Sequence, residues 1–136
     1  MRKALAVLGA VLLIMIGGIA SSILVVWVYS TFVAPGRPLA DYQAFAQSSA
    51  PIVSVIAGPV FTYLAVRLLV RNSHAREAML LAIYAMGLYA LLDIGILVAA
   101  RPTFGVWALA GLSLLLRGLA AWAAASSRRA VSAQEG

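Results

Sequence analysis

Four long apolar runs, at residues 4–33, 50–71, 78–100 and 103–125, occupy almost all of a 136-residue chain, and only Asp93 and Arg117 place charge well inside them. Each run meets or exceeds the roughly 20 residues an α-helix needs to cross the ~30 Å hydrocarbon layer of a bilayer. Hydrophobic residues make up 64% and charged residues 10% of the chain. Soluble domains carry about 25% charged residues, so this chain has too little polar surface to enclose its apolar residues in water. The fold expected is an all-α polytopic membrane protein: a single bundle of four transmembrane helices with short connections, integral to a membrane and expected in the bacterial inner (plasma) membrane.

The distribution of basic residues sets the expected orientation. Arg2 and Lys3 precede the first run, Arg67, Arg71 and Arg76 surround the link between the second and third, and Arg128 and Arg129 follow the fourth. These share one side, against Arg37 and Arg101 on the other, which predicts cytoplasmic N and C termini and a cytoplasmic tail at 126–136. Trp27, Tyr29, Phe32 and Trp107 would form the outer aromatic belt and Trp122 the inner one. The net charge of +6 thus reads as topology and lipid contact, with no nucleic-acid partner. The start also fits a secretory signal, with Gly18-Ile19-Ala20 as a small-residue cleavage pattern. Residues 23–33 continue the apolar run without a break, so a retained span is expected.

Between the first two runs, residues 34–48 read as an external loop. Pro35, Gly36 and Pro38 form a turn, then Leu39, Tyr42, Phe45 and Ala46 recur at the spacing of a short interfacial helix. Pro51 would open the second span in its first turn, capped by Ser48 or Ser49. A polar link at 71–77 joins the second and third spans, and a tight turn at Arg101-Pro102 joins the third and fourth. Small residues should govern packing, because lipid tails provide no hydrophobic drive for helices to associate. Ser54, Gly58 and Thr62 form one such stripe and Gly9, Gly17 and Ser21 another, with a bend expected at Gly17 and Gly18. Gly58-Pro59 should break the second helix and free backbone carbonyls.

Asp93 lies roughly 22 Å up the third span, and an unpaired carboxylate there costs at least about 2.5 kcal/mol. Ala82, Met86, Tyr89, Asp93 and Leu97 share one helical face, which places the Tyr89 phenol one turn below the acid and points that face inward. Asp93 and Tyr89 are therefore the candidate coupling or packing polar groups, with Tyr29 or Ser30 as further neighbours. Arg117 sits more than about 10 Å below Asp93 by Cα depth. It is expected to snorkel towards the head groups and, with Arg67, Arg71 and Arg76, to form a basic collar for anionic lipid or an acidic partner.

Catalytic chemistry has no residues to rest on. Cysteine is absent, His74 is the sole histidine, and no Gly-rich phosphate loop, nucleophile setting or carboxylate pair is legible. Neither an enzyme activity nor a metal or other cofactor is expected. Two functions remain, the first expected and the second its alternative. One is a small non-catalytic membrane component that packs with partner membrane proteins, or with itself as a homo-oligomer, and contacts anionic lipid. The other is a small ion- or proton-coupled transporter with Asp93 as coupling acid, Tyr89 as its hydrogen-bond partner and the Gly58-Pro59 break lining the path.

Overall fold

The computed structural model describes residues 2–100 and 103–134, apart from the side chains of residue 2 and residues 128–134. All the regular structure among them is helical: α1 (Arg2–Val28), which widens into a π-helical turn (Tyr29–Val33), α2 (Leu39–Leu69), α3 (Ala75–Ala100) and α4 (Phe104–Gln134). Four of these stretches are long and apolar enough to cross a membrane, and only 17–22% of the residues in their most apolar windows are buried. The apolar surface is turned outward, which suggests a membrane-integral protein. The turn expected at Arg101-Pro102 lies outside the described residues, as do the side chains of Arg128 and Arg129.

Helix boundaries differ from the sequence reading in two places. The connection after α1 is much shorter than a 34–48 loop, because α2 begins at Leu39 and runs unbroken through Pro51 and Pro59. The segment read as an interfacial helix supplies its first turns. Ser48 and Ser49 are consequently not caps: their hydroxyls donate back to the carbonyls of Phe45 and Ala46, at 3.0 and 3.4 Å. Each proline lacks the N–H for one ladder bond, and the helix nevertheless continues through both, without the break expected at Gly58-Pro59. At the other end, α4 continues past residue 125 to Gln134, through the segment read as a polar tail.

The short connection is pinned by one tyrosine. Gly36 takes a φ of +76°, a conformation natural to glycine, and the chain turns there. The Tyr42 hydroxyl donates to the Ala34 carbonyl at 2.7 Å and accepts the Arg37 backbone N–H at 3.0 Å. Beside it, Tyr29 stacks on Phe45 with ring centres 3.8 Å apart.

Sequence neighbours are not all spatial neighbours. Helix α2 packs most broadly on α4 and α1, whereas α3 packs on α4, lightly on α1 and least on α2. The order around the bundle is therefore α1, α2, α4, α3, and the link from α2 to α3 crosses the diagonal. Most of the buried core lies towards the end where Lys3 forms an ion pair with Glu77. Val11 and Ile14 of α1, Val66 of α2 and Val70 just after its end, Ala78 and Ala85 of α3, and Ala124 of α4 are buried there. Small side chains on α3 and α4 bring backbones close. Towards the opposite end the helices are more exposed: Leu91, Ile94, Ile96 and Val98 of α3 all face outward.

Candidate functional site

Where the packed half gives way to the exposed half, three helices, α2, α3 and α4, contribute to one polar cluster. Arg117 of α4 is only 2% exposed. Its Nε donates to the Ser113 hydroxyl at 3.2 Å, one turn earlier on the same helix, and its Nη2 donates to the Ser54 hydroxyl of α2 at 2.8 Å. The two serine hydroxyls are themselves 3.2 Å apart, within hydrogen-bond reach. Across the bundle, the Arg117 guanidinium lies over the Tyr89 ring of α3, 4.5 Å from its centroid, an arrangement in which the ring face attracts the cation. The Tyr89 hydroxyl donates to Asp93 Oδ1 at 3.3 Å.

Gly58 makes room for this arrangement. A Cβ placed there would lie 2.6 Å from Arg117 Cζ, so the guanidinium occupies the space a side chain would take. Gly58 and Pro59 were expected to line an open path; Gly58 is covered by Arg117, and Pro59 borders neither of the two cavities at Asp93. The stripe Ser54, Gly58, Thr62 does face α4, at least at its first two positions. Thr62 is fully buried, and its Oγ1 and Arg117 Nη1 are buried polar atoms with no hydrogen-bond partner among the described residues. The other stripe divides: a Cβ at Gly17 would overlap the Phe61 ring of α2, while nothing lies within 4 Å of one at Gly9.

The expected snorkelling of Arg117 is overturned. Side chains on a helix lean towards its N-terminus. Helices α3 and α4 run antiparallel, since Met79 shares a groove with Ala121 and Trp122 while Leu97 shares a cavity with Val106. Arg117 leans towards the Phe104 end of α4, and Asp93 leans towards the Ala75 end of α3. The two side chains therefore converge across a separation that Cα depth alone makes prohibitive. Arg117 consequently takes no part in the basic collar. Arg67 and Arg71 border a groove of about 630 Å³ with Leu13, Phe61, Leu64 and Leu68. Arg67 Nη1 donates to the Tyr63 hydroxyl at 3.1 Å, and Arg76 is exposed at the start of α3.

Asp93 does not turn to Tyr29 or Ser30. Tyr29 is stacked on Phe45, and the Ser30 hydroxyl bonds the Trp27 carbonyl. Asp93 instead stands at the junction of two cavities, both of which Ser54 also lines. One, of about 340 Å³, is a crevice between α1 and α3 whose walls include Ile19, Ile23, Leu92, Ile96, Tyr89 and Arg117. The other, of about 220 Å³, lies among α2, α3 and α4 and is bordered by Gln47, Pro51, Leu97, Val106 and Ser113. Asp93 and Arg117 line the same crevice, yet neither belongs to an ion pair among the described residues.

Ser113 is the site residue that the sequence reading passed over. Its position four residues before Arg117, on one helical face, is the available signal. No group of three or more His, Asp or Glu side chains that could hold a metal occurs among the described residues. Compared with known proteins, the chain matches no family model, no curated protein and no solved structure.

Proposed function

We propose that this protein is a small carrier embedded in a bacterial inner membrane, with the Arg117–Tyr89–Asp93 cluster as its binding site and Asp93 as the coupling acid. The observation that carries this reading is the pair of opposite charges on one crevice, both in contact with Tyr89 and not ion-paired with each other among the described residues. A buried guanidinium is costly to retain, and joining it to a carboxylate would reduce that cost. Here the carboxylate sits within the same cluster and remains separate. Its place between two cavities gives it access to a small ion or proton from either, and Ser54 and Tyr89 provide hydrogen-bonding groups along the way. Lys3, Arg67, Arg71 and Arg76 gather at the packed end of the bundle with Arg37 at the other, which supports cytoplasmic termini.

The test is flux in vesicles. Purified protein reconstituted with an internal pH-sensitive dye is challenged with a panel of small organic anions and cations. Substrate-dependent proton movement is expected for the native chain and should vanish in Asp93→Asn while assembly persists. Flux that is unchanged by this substitution removes Asp93 as the coupling group.

A second reading, a non-catalytic component that packs with a partner or with a second copy, has its own support. An outward groove of about 540 Å³ between α3 and α4 is lined by Ala82, Gly87, Ala90, Gly118 and Trp122 among others, a surface that a further membrane helix could approach closely. Gly87→Leu should abolish association through this groove without disturbing the bundle, because nothing lies within 4 Å of a Cβ there. The groove beside Arg67 and Arg71 would seat an anionic lipid head group in either case.

A further inference from the structure

We infer that the crevice between α1 and α3 receives a carboxylate-headed, single-chain amphiphile, its head group at Arg117 and its tail directed outward between the two helices. This rests on the carrier site proposed above and names the chemical class of its ligand.

Two buried polar atoms here lack hydrogen-bond partners among the described residues, Thr62 Oγ1 and Arg117 Nη1, and of the two residues only Arg117 lines the crevice. Arg117 is 2% exposed and lines the crevice, and its Nη1 has no acceptor among the described residues. A ligand completing the cluster must therefore bring an acceptor, and the positive charge behind that donor selects an anionic one. Asp93 already accepts from Tyr89, so the stronger demand is at the arginine. The charge count then narrows the head group. The crevice holds one guanidinium and one carboxylate, so each added negative charge is drawn by Arg117 and opposed by Asp93, which favours a singly charged carboxylate over a doubly charged phosphate monoester.

The rest of the crevice defines the body of the ligand. Apart from Ser22, Ser54, Tyr89 and the two charged residues, its walls are chiefly aliphatic. Its volume of about 340 Å³ falls at the lower end of the ~300–1,000 Å³ typical of small-molecule sites, enough for a head group and part of a chain. Ile19, Ile23, Leu92 and Ile96 at the mouth are 59, 64, 43 and 57% exposed. These apolar side chains stand on the outer faces of helices that span lipid in this reading, so the mouth opens sideways into the bilayer. An amphiphile can enter from that direction with its tail still in hydrocarbon, whereas a hydrophilic anion would have to leave water first.

Binding to the full chain in a neutral maltoside detergent tests this, with decanoate as the probe and decanol, decyl phosphate, decyltrimethylammonium and phosphatidylglycerol as comparisons. Saturable decanoate binding is expected. It should weaken about tenfold or more in Arg117→Gln, as loss of a charge-assisted contact implies. Ile23→Trp, at an exposed position on the mouth, should weaken it comparably without touching the cluster. A diazirine-bearing carboxylic acid should label the α1 and α3 peptides that flank the mouth, with decanoate and not decanol competing. This second readout needs no substitution at Arg117. Equal binding of decanol, or preferential binding of phosphatidylglycerol or decyl phosphate, overturns the inference. Binding of the ammonium amphiphile lost in Asp93→Asn overturns the ligand class alone and leaves the carrier. Absence of saturable binding by every probe, together with absence of Asp93-dependent flux, removes both.

Discussion

The Arg117 guanidinium carbon stands 4.5 Å from the centre of the Tyr89 ring, and the hydroxyl of that ring bonds Asp93. One phenol thus touches a cation with its face and an acid with its edge. The two opposite charges meet on this one ring and form no ion pair with each other among the described residues. The consequences of this relationship can be measured separately.

Tyr89→Phe removes the bond to Asp93 and keeps the ring under Arg117, so a loss of about 1 kcal/mol in stability is expected. Tyr89→Leu also removes the ring and should cost roughly 0.5–2 kcal/mol more. Thermal unfolding in detergent gives the comparison. Equal effects of the two substitutions would contradict a stabilising contact between ring and guanidinium.

Gly58→Ala places a methyl where the guanidinium lies. Because Arg117 is held by Ser54, Ser113 and Tyr89, it cannot shift freely, and overpacking of this kind costs about 1–3 kcal/mol. The Arg117→Met background should relieve most of that cost. A double-mutant cycle with no coupling between positions 58 and 117 would show that the two do not share space.

Ser54→Ala removes the acceptor for Arg117 Nη2 and leaves a second buried guanidinium nitrogen unsatisfied. The expected loss is about 1.5–3 kcal/mol, as for a hydrogen bond to a charged group. Ser113→Ala should cost a similar amount through Nε. Stability measured for both single variants and the double variant should show a strong departure from additivity, since the serines are in contact with each other and share the arginine.

Tyr42→Phe leaves the Arg37 N–H without its side-chain acceptor and the Ala34 carbonyl without its donor. Amide exchange at Arg37 should accelerate about tenfold, corresponding to a bond worth ~1.4 kcal/mol. Exchange across the packed end, at residues such as Val66 and Ala85, should remain unchanged. Acceleration spread over the whole chain would indicate global destabilisation instead of a local clasp.

Much of the architecture is legible in the four apolar runs, because their length and lack of charge leave helix as the economical way to pair the backbone. The shared face of Tyr89 and Asp93 is equally a matter of helical spacing. Polar residues at 41, 43 and 47–49 gave the beginning of α2 the look of a surface loop, although the backbone there is continuous helix. The pairing of Arg117 with Ser54 and Tyr89 was obscured for a different reason. Depth counted along each axis treats a side chain as lying at its own Cα, whereas antiparallel neighbours lean towards one another. The diagonal link from α2 to α3 is also invisible to periodicity, which fixes faces and leaves neighbours open.

That diagonal link bears on biogenesis. Of the four helices α4 comes fourth in chain order, and it packs between α2 and α3, the two helices that hold the partners for its arginine. On an isolated span in a bilayer, Arg117 would carry an insertion penalty of roughly 2.5–3.5 kcal/mol. In a bilayer, the earlier helices would therefore supply the berth that makes this fourth segment tolerable to lipid, and its charge would favour docking over a helix left alone.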